Sequence, residues 1–159
     1  MRRFSLTFLV AILATQLWAQ TNINLGGISA DPTAPVEIAA DSLSVDQDTG
    51  KAVFSGNVLI GQGDLKLSAG KVEVIYAAET GEIAQLMATG GVTFVTATEA
   101  AEAVSADYDL VAGTLVLAGE VLLTQGASAI SAERMSINLN SGNAELTGRV
   151  RTVFQQGSN

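Results

Sequence analysis

Carboxylates are the only abundant reactive side chains in this 159-residue chain, which has 16 Asp and Glu and neither His nor Cys. Two carboxyls facing across a cleft can act as acid and base in glycoside hydrolysis, so their spacing is the first question. The nearest pairs are Asp46 with Asp48 and Asp107 with Asp109. Both lie beside turns, where Asp is frequent because its side chain bonds the local backbone, and no pair stands out from the dispersed remainder. Without His, the usual general base, the commonest metal ligand and the hydrolase triad are missing together. Without Cys, thiol chemistry and disulfides are missing too. The expectation is a protein that is not an enzyme, with no catalytic residues, no metal site and no cofactor.

The first nineteen residues read as a secretory signal peptide. Arg2 and Arg3 precede an apolar run from Phe4 to Leu17 that is too short to span a bilayer, and Ala19 is a plausible cleavage point. Export is therefore expected. Residues 20–33 read as a flexible lead-in, 34–154 as one domain and 155–159 as a short tail. After the signal, 6 Lys and Arg stand against 16 Asp and Glu, a net charge of 6 − 16 = −10. Such a chain repels nucleic acid and anionic membrane surfaces.

The elements that carry these residues repeat. An apolar residue, an Ala two positions on and a Gly-x-Val further along recur four times. The starts are Ile38, Leu67, Ala101 and Ile130, and the glycines are Gly56, Gly90, Gly119 and Gly148. The unit is 29 residues with one five-residue insertion in the second copy, so one supersecondary element is built four times and its copies are stacked. Apolar residues alternate within each unit, the period of a strand with one buried face. In the first part of each unit the phase jumps by three, from Ala69 to Val72, Ala103 to Ala106 and Ala132 to Met135. A bulge must absorb the slip, which predicts bends at Asp41, Gly70, near Val104 and at Glu133. Gly50, Gly113 and Gly142 mark tight hairpins. The pattern predicts an all-β fold, a twisted antiparallel β-jelly roll made of four bent-hairpin repeats. The hairpin glycines argue against a single-stack β-solenoid.

The segment Val36-Glu37-Ile38-Ala39-Ala40-Asp41-Ser42-Leu43, then Phe54-Ser55-Gly56-Asn57-Val58 and Gly61-Gln62-Gly63-Asp64-Leu65, resembles the OstA-like domain of the LptA family. Ala88-Thr89-Gly90-Gly91-Val92, Leu117-Ala118-Gly119-Glu120-Val121 and Leu146-Thr147-Gly148-Arg149-Val150 continue the resemblance, which spans roughly Ala34 to Phe154. It implies a periplasmic bridge that receives the acyl chains of lipopolysaccharide in an apolar interior. It further implies end-to-end self-association between an inner-membrane LptC-like protein and an outer-membrane LptD-like protein. A cleavable signal favours the soluble bridge over the anchored partner, and the chain is too short for the outer-membrane protein. Its strongly acidic, Ala-rich mature part departs from the family pattern.

On this reading a lipid-binding trough is lined by Phe54, Val58, Ile60, Leu67, Val74, Phe94, Leu117, Val121, Leu123 and Ile137. The same residues equally suit filling their own core. The assembly edges are the acidic first strand, with Glu37, Ile38 and Asp41, and the basic last one, with Arg149, Arg151 and Val153, whose charges would match across copies. The competing class is a structural β-repeat scaffold of the envelope that needs the same pattern and no lipid.

Overall fold

The computed structural model describes residues 21–24, 31 and 33–154, which form eleven strands and no helix. In chain order they are β1 (Thr21–Asn24), β2 (Glu37–Ala39), β3 (Ser42–Asp46), β4 (Lys51–Gln62), β5 (Leu65–Tyr76), β6 (Ile83–Val95), β7 (Glu99–Asp109), β8 (Thr114–Gln125), β9 (Ser128–Asn138), β10 (Asn143–Thr147) and β11 (Arg151–Val153). All pair antiparallel in the order β1-β10-β9-β8-β7-β6-β5-β4-β2, with β3 also on β4 and β11 also on β9. The expected jelly roll is thus a meander of hairpins.

A row of bulges folds this sheet. Register shifts fall at Ser55/Val58, Ser68/Lys71, Thr89/Val92, Glu102/Ser105 and Ala118/Val121, in the middle of each long pairing. The bends lie where the phase slip puts them, but the extra residue is on the facing strand. There, two successive residues take left-handed backbone: Gly56-Asn57, Gly90-Gly91, Gly119-Glu120 and Gly148-Arg149. Glycine is required first in the pair for a second reason as well. A Cβ on Gly119 would lie 2.8 Å from Cβ of Val104, the bend residue opposite.

Each long strand is therefore two half-strands, and the halves stack as two layers. The first layer runs β3, the first half of β4, and on to β10 and β1; the second runs β2, the second half of β4, and on to β11. The buried Tyr108 hydroxyl of the first layer donates to Gln62 Oε1 of the second at 2.7 Å, tying the faces together. Between them lies one apolar core that includes Phe94, Leu115, Leu117, Leu123, Met135 and Ile137, all fully buried.

Two differences from the sequence reading stand out. Thr21–Asn24, inside the expected flexible lead-in, is a strand paired to β10, so Glu37 does not begin the first strand. Asp41 lies just outside β2, its amide donating to Gly56 O at 2.9 Å. The expected signal peptide and tail lie outside the described residues.

Candidate functional site

The interior is the first candidate. Of the ten trough residues, Val58, Ile60, Leu67, Val74, Phe94, Leu117, Val121, Leu123 and Ile137 are buried together between the layers. They pack to near completion. A void of about 10 Å³ lies between the layers, lined by Ile60, Leu65 and Leu67 of one layer and Leu86, Ala88, Ala106, Tyr108 and Leu115 of the other. That is room for about one water and for no acyl chain.

Phe54 differs from the other nine. It is half-buried, beside Leu43 and Val45 of β3, which register places opposite Phe54 and Ala52 on the same face. Leu43 is 55% exposed and Val45 61%. With the partly buried Val36, Ile38 and Ala40 they form an apolar mouth at the β2/β3 end of the roll. Sequence alternation puts Leu43 and Val45 in phase with the core but leaves them out of the site. Their exposure is legible only by noting that the first unit has no predecessor to cover it.

Residues 37–143, most of the folded domain, match the model of the family described as LptA/(LptD N-terminal domain) LPS transport protein. The chain belongs to this family. Among solved structures it is similar to LptH from Pseudomonas aeruginosa, the LptA homologous periplasmic component of the conserved lipopolysaccharide transport device. The TM-score is 0.70 at 18% identity, over 80% of this chain and 99% of LptH, a shared fold. Among curated proteins it is 28% identical over 153 residues to an uncharacterized protein of Rhizobium meliloti (strain 1021), covering 89% of this chain and 82% of that one.

The two edges of this LptA-family chain are the second candidate. At the β2 edge, Glu37 and Ile38 stand opposite Gly61 and Ile60. At the far edge, Arg151 and Val153 of β11 stand opposite Ser131 and Ala129. Arg149 is not a free edge charge: its Nε donates to Glu133 Oε1 at 2.7 Å, with Nη2 at 2.6 Å from the same oxygen. Asp41 is likewise engaged, accepting from Asn57 Nδ2 at 2.8 Å. These are the same contact in units four and one, since Glu133 and Asp41 face the bulge residues Arg149 and Asn57.

One member of each acidic pair of the LptA-family chain serves a turn, while Asp107 accepts from Gln85 Nε2 at 2.7 Å across the β6–β7 pairing. Asp46 Oδ1 accepts the amides of Asp48 and Thr49, and Asp109 Oδ1 accepts that of Ala112. Asn138 does the same at its turn for Asn140 and Ser141. Each occupies one repeat position, eight residues after its unit's start. The Thr49 amide and hydroxyl, then the Asp48 amide, hold the Asp46 carboxyl below the usual range. Among the described residues no cluster of three His, Cys, Asp or Glu could hold a metal.

Sequence reasoning missed Glu99, a buried carboxylate at the β6–β7 hairpin. It accepts from the hydroxyls of Thr96 at 2.7 Å and Thr98 at 2.5 Å, and from Gln125 Nε2 at 3.0 Å. This set pins the β6–β7 turn to β8. A further surface concavity of about 600 Å³ runs along the β2, β4, β5 and β6 end, lined mainly by outward positions such as Leu59, Lys66, Thr93 and Val95.

Proposed function

We propose that this chain is a periplasmic carrier. It holds the acyl chains of lipopolysaccharide, its lipid A portion, against the inward apolar row and passes them along a bridge of copies. The bridge runs from an inner-membrane LptC-like protein to an outer-membrane LptD-like protein. Family membership supports the pathway, and the fold shared with a periplasmic component supports the compartment.

The observation that carries the reading is the mouth. Leu43, Val45 and Phe54 extend the row that is sealed in the middle, and there the row meets solvent as an apolar face. Burying acyl chains on it yields about 0.8 kcal/mol per methylene. Deeper insertion requires the two layers to part, since the inward residues behind the mouth are buried against one another.

The repeat supports joining between copies. Strand β10 corresponds to the first halves of β4, β6 and β8, each of which pairs onward with a strand equivalent to β3. A second copy's β3 on β10, with its β2 on β11, would continue both layers by the internal rule. By that register Arg151 would lie diagonal to Glu37 of the next copy. Arg149 would stand between its own Glu133 and the next copy's Asp41. Such a contact is heterologous and extends without closing. In this arrangement Arg149→Glu with Arg151→Glu should weaken end-to-end crosslinking; unchanged crosslinking would remove the charge-matching part of the reading.

Photo-crosslinking in the native host tests lipid binding. Crosslinkers at Leu43 and Phe54 should capture an acylated glycolipid, with Phe94 and Leu117 reporting whether tails go deeper and outward Asn57 as control. No adduct at any of the four would overturn the carrier. The filled interior favours a second reading, an envelope scaffold without lipid, and native mass spectrometry of protein from its own host separates the two.

A further inference from the structure

We propose that β1 is a self-capping strand, which occupies the β10 edge in place of a second copy's β3 and so holds the chain back from joining. The inference rests on the edge-to-edge association proposed above and adds what regulates it.

The placement is given by the ladder. Strand β1 pairs antiparallel with β10, Thr21 opposite Leu146, Asn22 opposite Glu145, Ile23 opposite Ala144 and Asn24 opposite Asn143. Within the chain, the same β10 positions have counterparts in β4, where Phe54 faces Val72 and Ala52 faces Val74 of β5. Val72 and Val74 sit five and seven residues after their unit's start, as Leu43 and Val45 do in the first unit. An incoming β3 in that register would set Leu43 opposite Leu146 and Val45 opposite Ala144. Those are the positions held by Thr21 and Ile23, so one edge cannot carry both strands.

The competition is uneven in a useful way. Strand β1 brings a four-residue ladder to one layer, and among the described residues the outer edge of β11 carries no strand. A second copy brings five residues of β3 and three of β2, one strand to each layer, and covers Leu43 and Val45 as well. Contact through β11 can therefore form first, with β1 still seated, after which β1 peels away. Until then β1 protects an edge whose free amides and carbonyls would otherwise template pairing with any extended chain.

The test uses the full chain with Asn22→Pro and Ile23→Pro together. Of two consecutive strand amides one must face the neighbour, so this pair removes a ladder bond whichever it is. Hydrogen exchange should show alternate amides of Asn143–Thr147 losing protection. Analytical ultracentrifugation should show self-association at least roughly tenfold tighter than in the unaltered chain. Adding Leu43→Glu and Val45→Glu should return the proline variant to a monomer. Unchanged exchange in β10 would overturn the cap. Equal association with and without the prolines would also overturn it while leaving joining intact. Exposed β10 amides with no association in either chain would remove joining and the cap together.

Discussion

The same two positions of the repeat behave oppositely in β3 and β9. Leu43 and Val45 correspond to Met135 and Ile137, five and seven residues after the start of their units. The first pair is more than half exposed; the second is fully buried. The residues are equally apolar, and the difference is the neighbour: β9 lies between β8 and β10, whereas among the described residues β3 pairs only with β4. Burial in a stacked repeat is thus a property of position in the stack. The middle is sealed, and at the β3 end apolar surface of the same row stays exposed.

The contrast can be broken most directly by truncation. Phe94→Ala should cost about 3–5 kcal/mol in denaturant unfolding, because a fully buried ring leaves a cavity, while Leu43→Ala should cost under about 1 kcal/mol in the monomer. Equal losses would show that β3 is as much core as β6.

A smaller effect separates the fold line from the hairpin tips. Gly119 and Gly126 both have left-handed backbone, with φ of 81° and 56°, but only Gly119 has a side chain facing its missing Cβ. Gly126→Ala should cost about 1 kcal/mol, and Gly119→Ala distinctly more, up to about 3 kcal/mol. Thermal unfolding midpoints of the two variants give the comparison.

Tyr108→Phe tests the tie between the layers and should cost about 1–2 kcal/mol near neutral pH by leaving Gln62 Oε1 without its donor. Burial raises the Tyr108 pKa above its ordinary 10.0. The folded state therefore holds this proton more tightly than the unfolded state. That contribution is complete below pH 10 and is lost as pH rises through the folded value. The phenylalanine variant should show a flatter alkaline fall in stability.

The smallest effect belongs to the exposed turns. The folded Asp46 carboxyl sits below its ordinary 3.8, so its contribution is present above that value and is lost as pH falls through the folded one. Asp46→Ala should lower the denaturant midpoint slightly at pH 7 and leave it nearly unchanged near pH 2.

Much of this architecture was legible because the repeat is strict. The slip from Ala103 to Ala106 locates the bend at Val104, and Gly50, Gly113 and Gly142 locate hairpins. What alternation cannot tell is which strand of a pair holds the extra residue, since both readings give the same phase on the slipped strand. The left-handed Gly119-Glu120 pair settles it through backbone geometry. Strand β1 was invisible for a different reason: Thr21–Asn24 is short, polar and outside the repeat, and only its partner strand gives it a structure. The Arg149 ion pair joins residues 16 apart in sequence, and only the bulge between them sets Arg149 over Glu133.

The five added residues of the second unit fall in the 77–82 loop and leave the strand pairing beside it antiparallel, with one register shift at Ile75/Tyr76 next to the loop. Length can therefore change in two ways without spoiling the roll. Arbitrary numbers of residues can be taken up at a hairpin tip, whereas between the tips the chain can grow or shrink only by whole 29-residue blocks. Duplicating one block in the gene would lengthen each layer by two strands, about 10 Å, and would hand on both termini of the stack unaltered.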